Sequence, residues 1–349
     1  MKILFRILIV GAFLAILVHY TNTDSTDKIL QSPEPVIKPI ENIEIIEQQN
    51  AIYDRPSEGI STLIGEPTAK LIELYGEPDV QYNTVFSYDI WIYTTNSNYT
   101  AVGVKDGKVK QVYTNSETIN ISPYKMNTPA TAIYASTILE AEITAHIEDN
   151  LYIFSMSERD TLNRILVKLD TIYAQLYIDE KTAKLVGVRF LDGETLVENK
   201  PYEMQFIGEL IEAPVQSSQI ILESQLQNAD ELVNLINSFR AKYARPLLQE
   251  NELLNEIASS LSEQRYNNEL ESLEIANRDL LKLLDERGIL YHKAEEIVAV
   301  GYLDPIEAIH GLLNSDIHRK VILNGDAKEI GIGNYGQYYT QIITETKFE

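Results

Sequence analysis

The chain contains no cysteine. Disulfides, thiolate metal sites, cysteine nucleophiles and a lipoprotein-type cysteine anchor are thereby excluded. Basic residues are scarce, with 29 Lys and Arg against 52 Asp and Glu and a formal net charge of -23. Binding to a phosphate backbone needs a basic surface, so nucleic acid is not an expected partner. Adsorption on anionic lipid is disfavoured for the same reason. No uninterrupted apolar run reaches the ~20 residues that span a bilayer. Residues 7–18 come nearest, and they follow Lys2 and Arg6. A positive flank before an apolar core marks an export segment. No small-residue cleavage pattern follows, since the next residues are Thr21, Asn22, Thr23 and Asp24. We read residues 1–20 as an uncleaved anchor in preference to a removed signal peptide. Either way the N-terminus is inside and the body outside the cytoplasm. Contact with the membrane is expected through this segment only.

The chain as a whole has the apolar content of a globular protein, 44%. Residues 21–57 read as an acidic linker kept extended by Pro33, Pro35 and Pro39. A helix is expected from Pro67 to Gly76, opened by one residue and closed by the other. Residues 88–93, with Trp91, read as a strand, and Trp91 as core rather than a ligand-stacking ring. Asp106-Gly107 between two β-rich runs predicts a hairpin, because both residues tolerate positive φ. A similar order recurs: Ser157 starts a helix running through Leu162, Ile165, Leu166 and Leu169, then strands at 174–178 and 185–190 flank a turn. Helix then hairpin therefore appears twice. The 21 tyrosines suggest half-buried sheets with hydroxyls reaching water.

After Pro214 the periodicity turns helical, with Leu232, Val233, Ile236, Phe239 and Tyr243 as one face from about Ala229. Helices are also expected around 253–261 and 280–284. The richest stretch is 288–333, which holds His292, His310 and His318 of the five histidines. Asp304, Pro305 and Glu307 have the order of a capping box around a proline at the first helical position. That helix should weaken at Asn314-Ser315. Strands close the chain at 330–333 and 338–343.

Several of these stretches resemble one family in order. Ile236-Asn237-Ser238-Phe239-Arg240, with Leu247 and 253–258, is similar to the opening helices of the CAP superfamily: cysteine-rich secretory proteins, antigen 5 and pathogenesis-related proteins. Ala294-Glu295-Glu296-Ile297 resembles its Gly-Glu-Asn-Ile motif. Leu312 to Arg319 resembles its Trp-x-x-Ser-x-x-His-Arg motif, and Ile330-Gly331-Ile332-Gly333 with Tyr339-Thr340-Gln341 its closing strands. Upstream, Ile64-Gly65-Glu66-Pro67, Tyr75-Gly76-Glu77-Pro78 and the Trp91 strand resemble the CAP-associated N-terminal domain of Bacillus-type bacterial proteins. The resemblance implies an α+β protein: an α-β-α sandwich at 225–349, preceded at 58–205 by an α+β domain with two helix-plus-hairpin repeats.

The resemblance also assigns a cavity, which members line with two histidines and two acids able to hold a divalent metal. Here Glu295 stands for one acid and His318 for one histidine, while Ser315 replaces the other acid. The remaining histidine's loop looks shortened to 270–277, the usual His-Ser pair is Leu261-Ser262, and the motif glycine and tryptophan are Ala294 and Leu312. His292 is the one further ligand on offer for zinc or magnesium. A catalytic zinc wants three protein ligands and an open position. As an acid–base pair Glu295 would orient His318, with Ser315 as the only nearby nucleophile. The structural alternative is that Glu295 and His318 pin helix to sheet. The expectation is a non-enzymatic binding or scaffold protein, anchored or secreted, whose partner is a cell-envelope peptide, lipid or protein. The alternative is a metal-dependent or serine-type hydrolase at the envelope using Glu295, Ser315 and His318.

Overall fold

The computed structural model describes residues 28–40, 53–95, 98–267 and 273–345, without the side chains of 273–279. The segment read as an anchor, residues 21–27 and 41–52 of the linker and residues 270–272 of the shortened loop lie outside the described residues. The chain forms two units. The larger comprises Pro33–Arg245 and Leu303–Asn314; the smaller comprises Met1–Ser32, Pro246–Tyr302 and Ser315–Glu349. Among the described residues no helix is long and apolar enough to cross a membrane.

Within the proline-bearing stretch two short strands form, β1 (Ile29–Gln31) in the smaller unit and β2 (Ile37–Pro39) in the larger. Each joins the edge of a sheet in parallel, β1 against Val298 to Val300 and β2 against Met204 to Phe206. An edge is where proline is tolerated, because one side of the strand needs no donor.

The larger unit begins with α1 (Thr68–Tyr75), which ends at Gly76 with φ 81°. An antiparallel meander follows: β3 (Val80–Asn83), β4 (Asp89–Thr95), β5 (Asn98–Lys105) and β6 (Lys108–Thr114). Asp106 and Gly107 join β5 to β6 with φ of 52° and 69°, the expected turn. Then come α2 (Ala130–Ser136), β7 (Glu142–Ile147), β8 (Asn150–Ser155), α3 (Glu158–Asn163), β9 (Arg164–Leu169), β10 (Ile172–Asp179), β11 (Lys184–Asp192), α4 (Gly193–Asn199) and β12 (Glu203–Ile207). One sheet runs β3-β4-β5-β6-β11-β10-β9 and a second runs β2-β12-β8-β7.

The helix expected to continue to Leu169 stops at Asn163. Ser157 caps α3 reciprocally with Asp160, but 164–169 become β9. Ile165, Val167 and Leu169 enter one core cluster and Leu166 the other. Both faces are buried, so the two-residue period prevails over the helical one. β10 shows the same burial, with all eight residues inside. Ile172, Ala174, Leu176 and Ile178 pack with Val102, Val112, Val188 and Phe190. Tyr173, on the opposite face, packs with Phe154, Leu196 and Met204 of the second layer. Trp91 lies against the first of these clusters, as read.

The larger unit closes with α5 (Ser218–Lys242), capped by Ser217 through the Ile220 amide. It starts well before Ala229, because Ile221, Leu222 and Leu226 of its first turns are exposed and carry no core periodicity.

In the smaller unit β13 (Gln249–Glu250), α6 (Glu252–Tyr266), α7 (Leu273–Glu286) and β14 (Lys293–Val300) come first. The chain then gives α8 (Pro305–Asn314) to the larger unit, and returns with α9 (Asp316–Ile322), β15 (Glu329–Tyr335) and β16 (Tyr338–Glu345). The sheet order is β1-β14-β16-β15-β13. Gly336 and Gln337 alone join β15 to β16, a tighter turn than the four residues expected. Leu254, Ile257 and Leu261 of α6 form the core with Ile342, Leu280 and Leu284. Gly331 and Gly333 permit this closeness: a Cβ on Gly333 would lie 2.1 Å from the Ser259 nitrogen, and one on Gly331 2.2 Å from the Leu254 Cβ. The chain is α+β, as its sequence implied.

Candidate functional site

The helix that begins at Pro305 breaks at Ser315, and the break shapes the candidate site. Ser315 is the N-cap residue of α9, yet its hydroxyl makes no cap bond. It lies 2.8 Å from Nδ1 of His318. Nε2 of His318 lies 2.9 Å from the main-chain oxygen of Lys28, just ahead of β1. A carbonyl only accepts, so Nε2 carries the ring proton and Nδ1 accepts from Ser315. The ring has no solvent exposure. The Lys28 carbonyl therefore fixes the tautomer of the histidine.

Glu295 does not join this pair. Its carboxylate meets Lys293 Nζ at 2.9 Å, and its side chain is 20% exposed. His292 is exposed, and its backbone N–H donates to the Glu345 carbonyl at 2.7 Å. Among the described residues no three His, Asp or Glu side chains are grouped to hold a metal ion. With His318 engaged on both nitrogens and Glu295 on a lysine, these residues as placed do not fit a divalent ion.

The neighbouring acid turns inward instead. Glu296 is fully buried and pairs with Arg265 of α6 at 2.9 Å. Arg265 also donates to Thr340 Oγ1 at 3.0 Å, and Ser262 bonds both Thr340 (2.8 Å) and the Gly333 carbonyl (2.9 Å). Burial raises the Glu296 pKa and the Arg265 charge opposes that. Of the adjacent acids in the motif, the one assigned to the cavity from sequence, Glu295, is the partly exposed one. Strand alternation separates the two faces without saying which is inner.

A second polar cluster, in the larger unit, was not legible in advance. Tyr99, Tyr113, Tyr177 and Arg189 are buried on the sheet, close to α5 and α8. Arg189 Nη2 meets Asp304 at 2.5 Å, and Arg164 Nη1 meets Glu307 at 2.7 Å. The other Asp304 oxygen accepts from the Glu307 amide at 2.9 Å, the cap expected for α8. Glu307 does not complete the capping box; its carboxylate goes to Arg164. His310 stacks on Tyr177 with ring centres 4.1 Å apart, and its Nε2 bonds the Tyr113 hydroxyl at 2.9 Å. Burial, then the Arg189 charge, push His310 down to about 3. Glu231 of α5 accepts from Tyr82, yet burial lifts it to about 7. Glu231, Asp304 and Tyr88 border a cavity of about 30 Å³, room for a single water. This cluster has the arrangement of a structural fastening: each acid meets a cation or hydroxyl supplied by a distant element.

Residues 64–202 match the family model described as CAP-associated N-terminal, and residues 233–343 match that of the cysteine-rich secretory protein family. An uncharacterized membrane protein of Bacillus subtilis, YlbC, is 30% identical over 288 residues, covering 82% of this chain and 83% of that protein. An extracellular protein containing an SCP domain from Bacillus anthracis aligns with a TM-score of 0.76 at 26% identity, over 86% of this chain and 100% of the other. A cysteine-rich secretory protein from Staphylococcus aureus aligns with a TM-score of 0.78 at 25% identity, over 92% and 99%.

Proposed function

We propose, for a chain that belongs to the cysteine-rich secretory protein (CAP) family and carries a CAP-associated N-terminal domain, that it is an extracytoplasmic binding or scaffold protein and not a catalyst. Its N-terminal segment tethers it to the membrane, and its folded body engages a peptide, lipid or protein of the cell envelope. The membrane-protein relative and the extracellular structural relative support the location. The observation that carries the non-catalytic reading is the state of His318. Its ring is wholly buried, with Ser315 on one nitrogen and the Lys28 carbonyl on the other. A general base must reach the proton it removes from a bound reactant, and must be oriented for that task. The acid assigned to orient it, Glu295, holds Lys293 instead.

One contact favours a second reading. A hydroxyl 2.8 Å from an accepting imidazole nitrogen is the spacing of an activated nucleophile. Serine-type hydrolysis through Ser315 and His318 would exploit it. Two measurements separate the readings. The full chain is assayed on a panel of esters and peptides, with and without zinc or magnesium, beside Ser315→Ala. The double variant Glu295→Ala/His318→Ala is then used to capture partners from envelope extracts. The binding reading expects no turnover that depends on Ser315, and a capture profile that survives the double substitution. Turnover abolished by Ser315→Ala, or capture lost in a folded double variant, would overturn it.

A further inference from the structure

We infer that the larger unit carries a binding site for the free carboxyl terminus of a peptide, in a cleft at the C-terminal end of α5. The cleft has a volume of about 190 Å³, and neither Glu295, Ser315 nor His318 lines it. At ~30 Å³ per water this is room for roughly six waters, so the occupant is one or two residues long rather than an acyl chain or a folded partner. Met126, Leu185 and Phe239, all buried, give it apolar walls. Lys242, Lys184 and Glu117 are its charged groups.

Lys242 identifies the ligand chemistry. Its side chain is only 12% exposed, and its nearest carboxylate, Glu117, is 4.0 Å away and itself half-exposed. The ammonium donates to the Asn115 carbonyl. That leaves further N–H donors on an ammonium that carries three. Burial lowers its pKa more than Glu117 restores it. Lys242 is a partly buried cation whose ion pair with Glu117 spans 4.0 Å, so an incoming carboxylate can approach it more closely than Glu117 does. Lys184 adds a second positive charge at the same cleft. Helix carbonyls at the end of α5 carry only about half a negative charge between them, which two lysines outweigh. The rest of the protein is strongly acidic, with a net charge of -23. A simple multivalent anion would be repelled at a distance. A zwitterion is not: its carboxylate suits the lysines, its side chain the apolar walls, and its ammonium Glu117.

The test is calorimetric titration of the full chain with alanyl-leucine, leucine, N-acetyl-leucine and N-acetyl-leucinamide. Alanyl-leucine and N-acetyl-leucine should bind saturably and the amide should not. Tighter binding of alanyl-leucine than of free leucine points to a peptide end. Equal binding of the two, or tighter leucine, overturns the peptide assignment in favour of an amino-acid site. Lys242→Met keeps the aliphatic stem and should weaken binding at least about tenfold. Lys184→Ala, at an exposed position, should weaken it by a smaller factor and guards against a Lys242→Met variant that fails to fold. No saturable binding, binding of the amide equal to the acid, or Lys184→Ala and a folded Lys242→Met both binding as wild type would overturn the site.

Discussion

Arg189 and Asp304 stand 115 positions apart in sequence and 2.5 Å apart in space, and the arginine side chain has no exposure at all. Asp304 meanwhile caps α8 through its other oxygen. One carboxylate thus ends a helix and neutralises a buried cation.

Asp304→Ala should therefore destabilise the protein more than a lost cap alone. A cap contributes about 1 kcal/mol, while breaking a buried ion pair by removing one partner costs about 3–5 kcal/mol. Urea unfolding should show a loss nearer the second figure. Adding Arg189→Met to Asp304→Ala should recover part of it, since the stranded charge is gone. A loss of only about 1 kcal/mol for Asp304→Ala would mean that Arg189 finds another partner or water.

His310 sets an acid limit. Its folded pKa, about 3, lies below its ordinary value, so it stays neutral in the fold while the unfolded chain takes up a proton. Above the ordinary value, ~6.5, the two states agree. As pH falls from there toward the folded value the unfolded state binds more protons and stability drops. His310→Phe keeps the stack on Tyr177 and removes the titration. Its urea midpoint should fall less steeply than that of wild type between pH 7 and pH 4.5; parallel slopes would refute the assignment.

Glu231 acts with the opposite sign. Its pKa is raised to about 7, chiefly by burial. Between its unfolded value, ~4.3, and about 7 the native state keeps a proton that the unfolded chain releases. This contribution is whole below the unfolded value and lost as pH rises to about 7. Glu231→Gln stays neutral throughout, so the variant should gain stability relative to wild type on going from pH 5 to pH 8. The raised pKa values of Glu296 and Glu307 leave part of the wild-type slope in place. Equal pH profiles for variant and wild type would show that Glu231 ionises normally.

Gly333→Ala tests the seat of α6. The added methyl would sit 2.1 Å from the Ser259 nitrogen and 2.3 Å from the Ala258 carbonyl carbon, both backbone. Backbone cannot rotate aside, so the helix must shift. Overpacking of this kind costs about 1–3 kcal/mol and occasionally more. Thermal unfolding of the variant should fall at or above the top of that range, and an unchanged Tm would mean that α6 moves freely on the sheet.

What could be read in advance was local. Asp106-Gly107 announced its turn because φ preference belongs to the residues themselves. Asp304-Pro305 announced a helix start for the same reason, and Ser315 its break. Glu307 shows the limit: the capping-box spacing was right, but Arg164, on a strand 143 positions away, takes the carboxylate. β9 was misread because Leu162, Ile165, Leu166 and Leu169 fit a helix, while burial on both faces is a property of the sheet. The candidate site divided in the same way. The contact of His318 with Ser315 is three residues long and was legible. Its bond to the Lys28 carbonyl was not, since a polar linker gives no sign that it will add a strand. The polar cluster around Arg189 and the inward turn of Glu296 depend on partners from remote segments, which no spacing rule links.

Helices α5 and α8 lie wholly or partly inside the span matched by the secretory-protein family, yet they bury Glu231, Glu307 and His310 in the same unit as the strands of the preceding segment. Excising 233–343 at its family boundaries would strip two helices of their aromatic bed, separate Arg189 from Asp304, and leave Arg164 with Asp160 but without Glu307. The two spans are consequently poor cassettes for recombination: a lineage that swapped one would have to change the tyrosines, arginines and acids of the other in step.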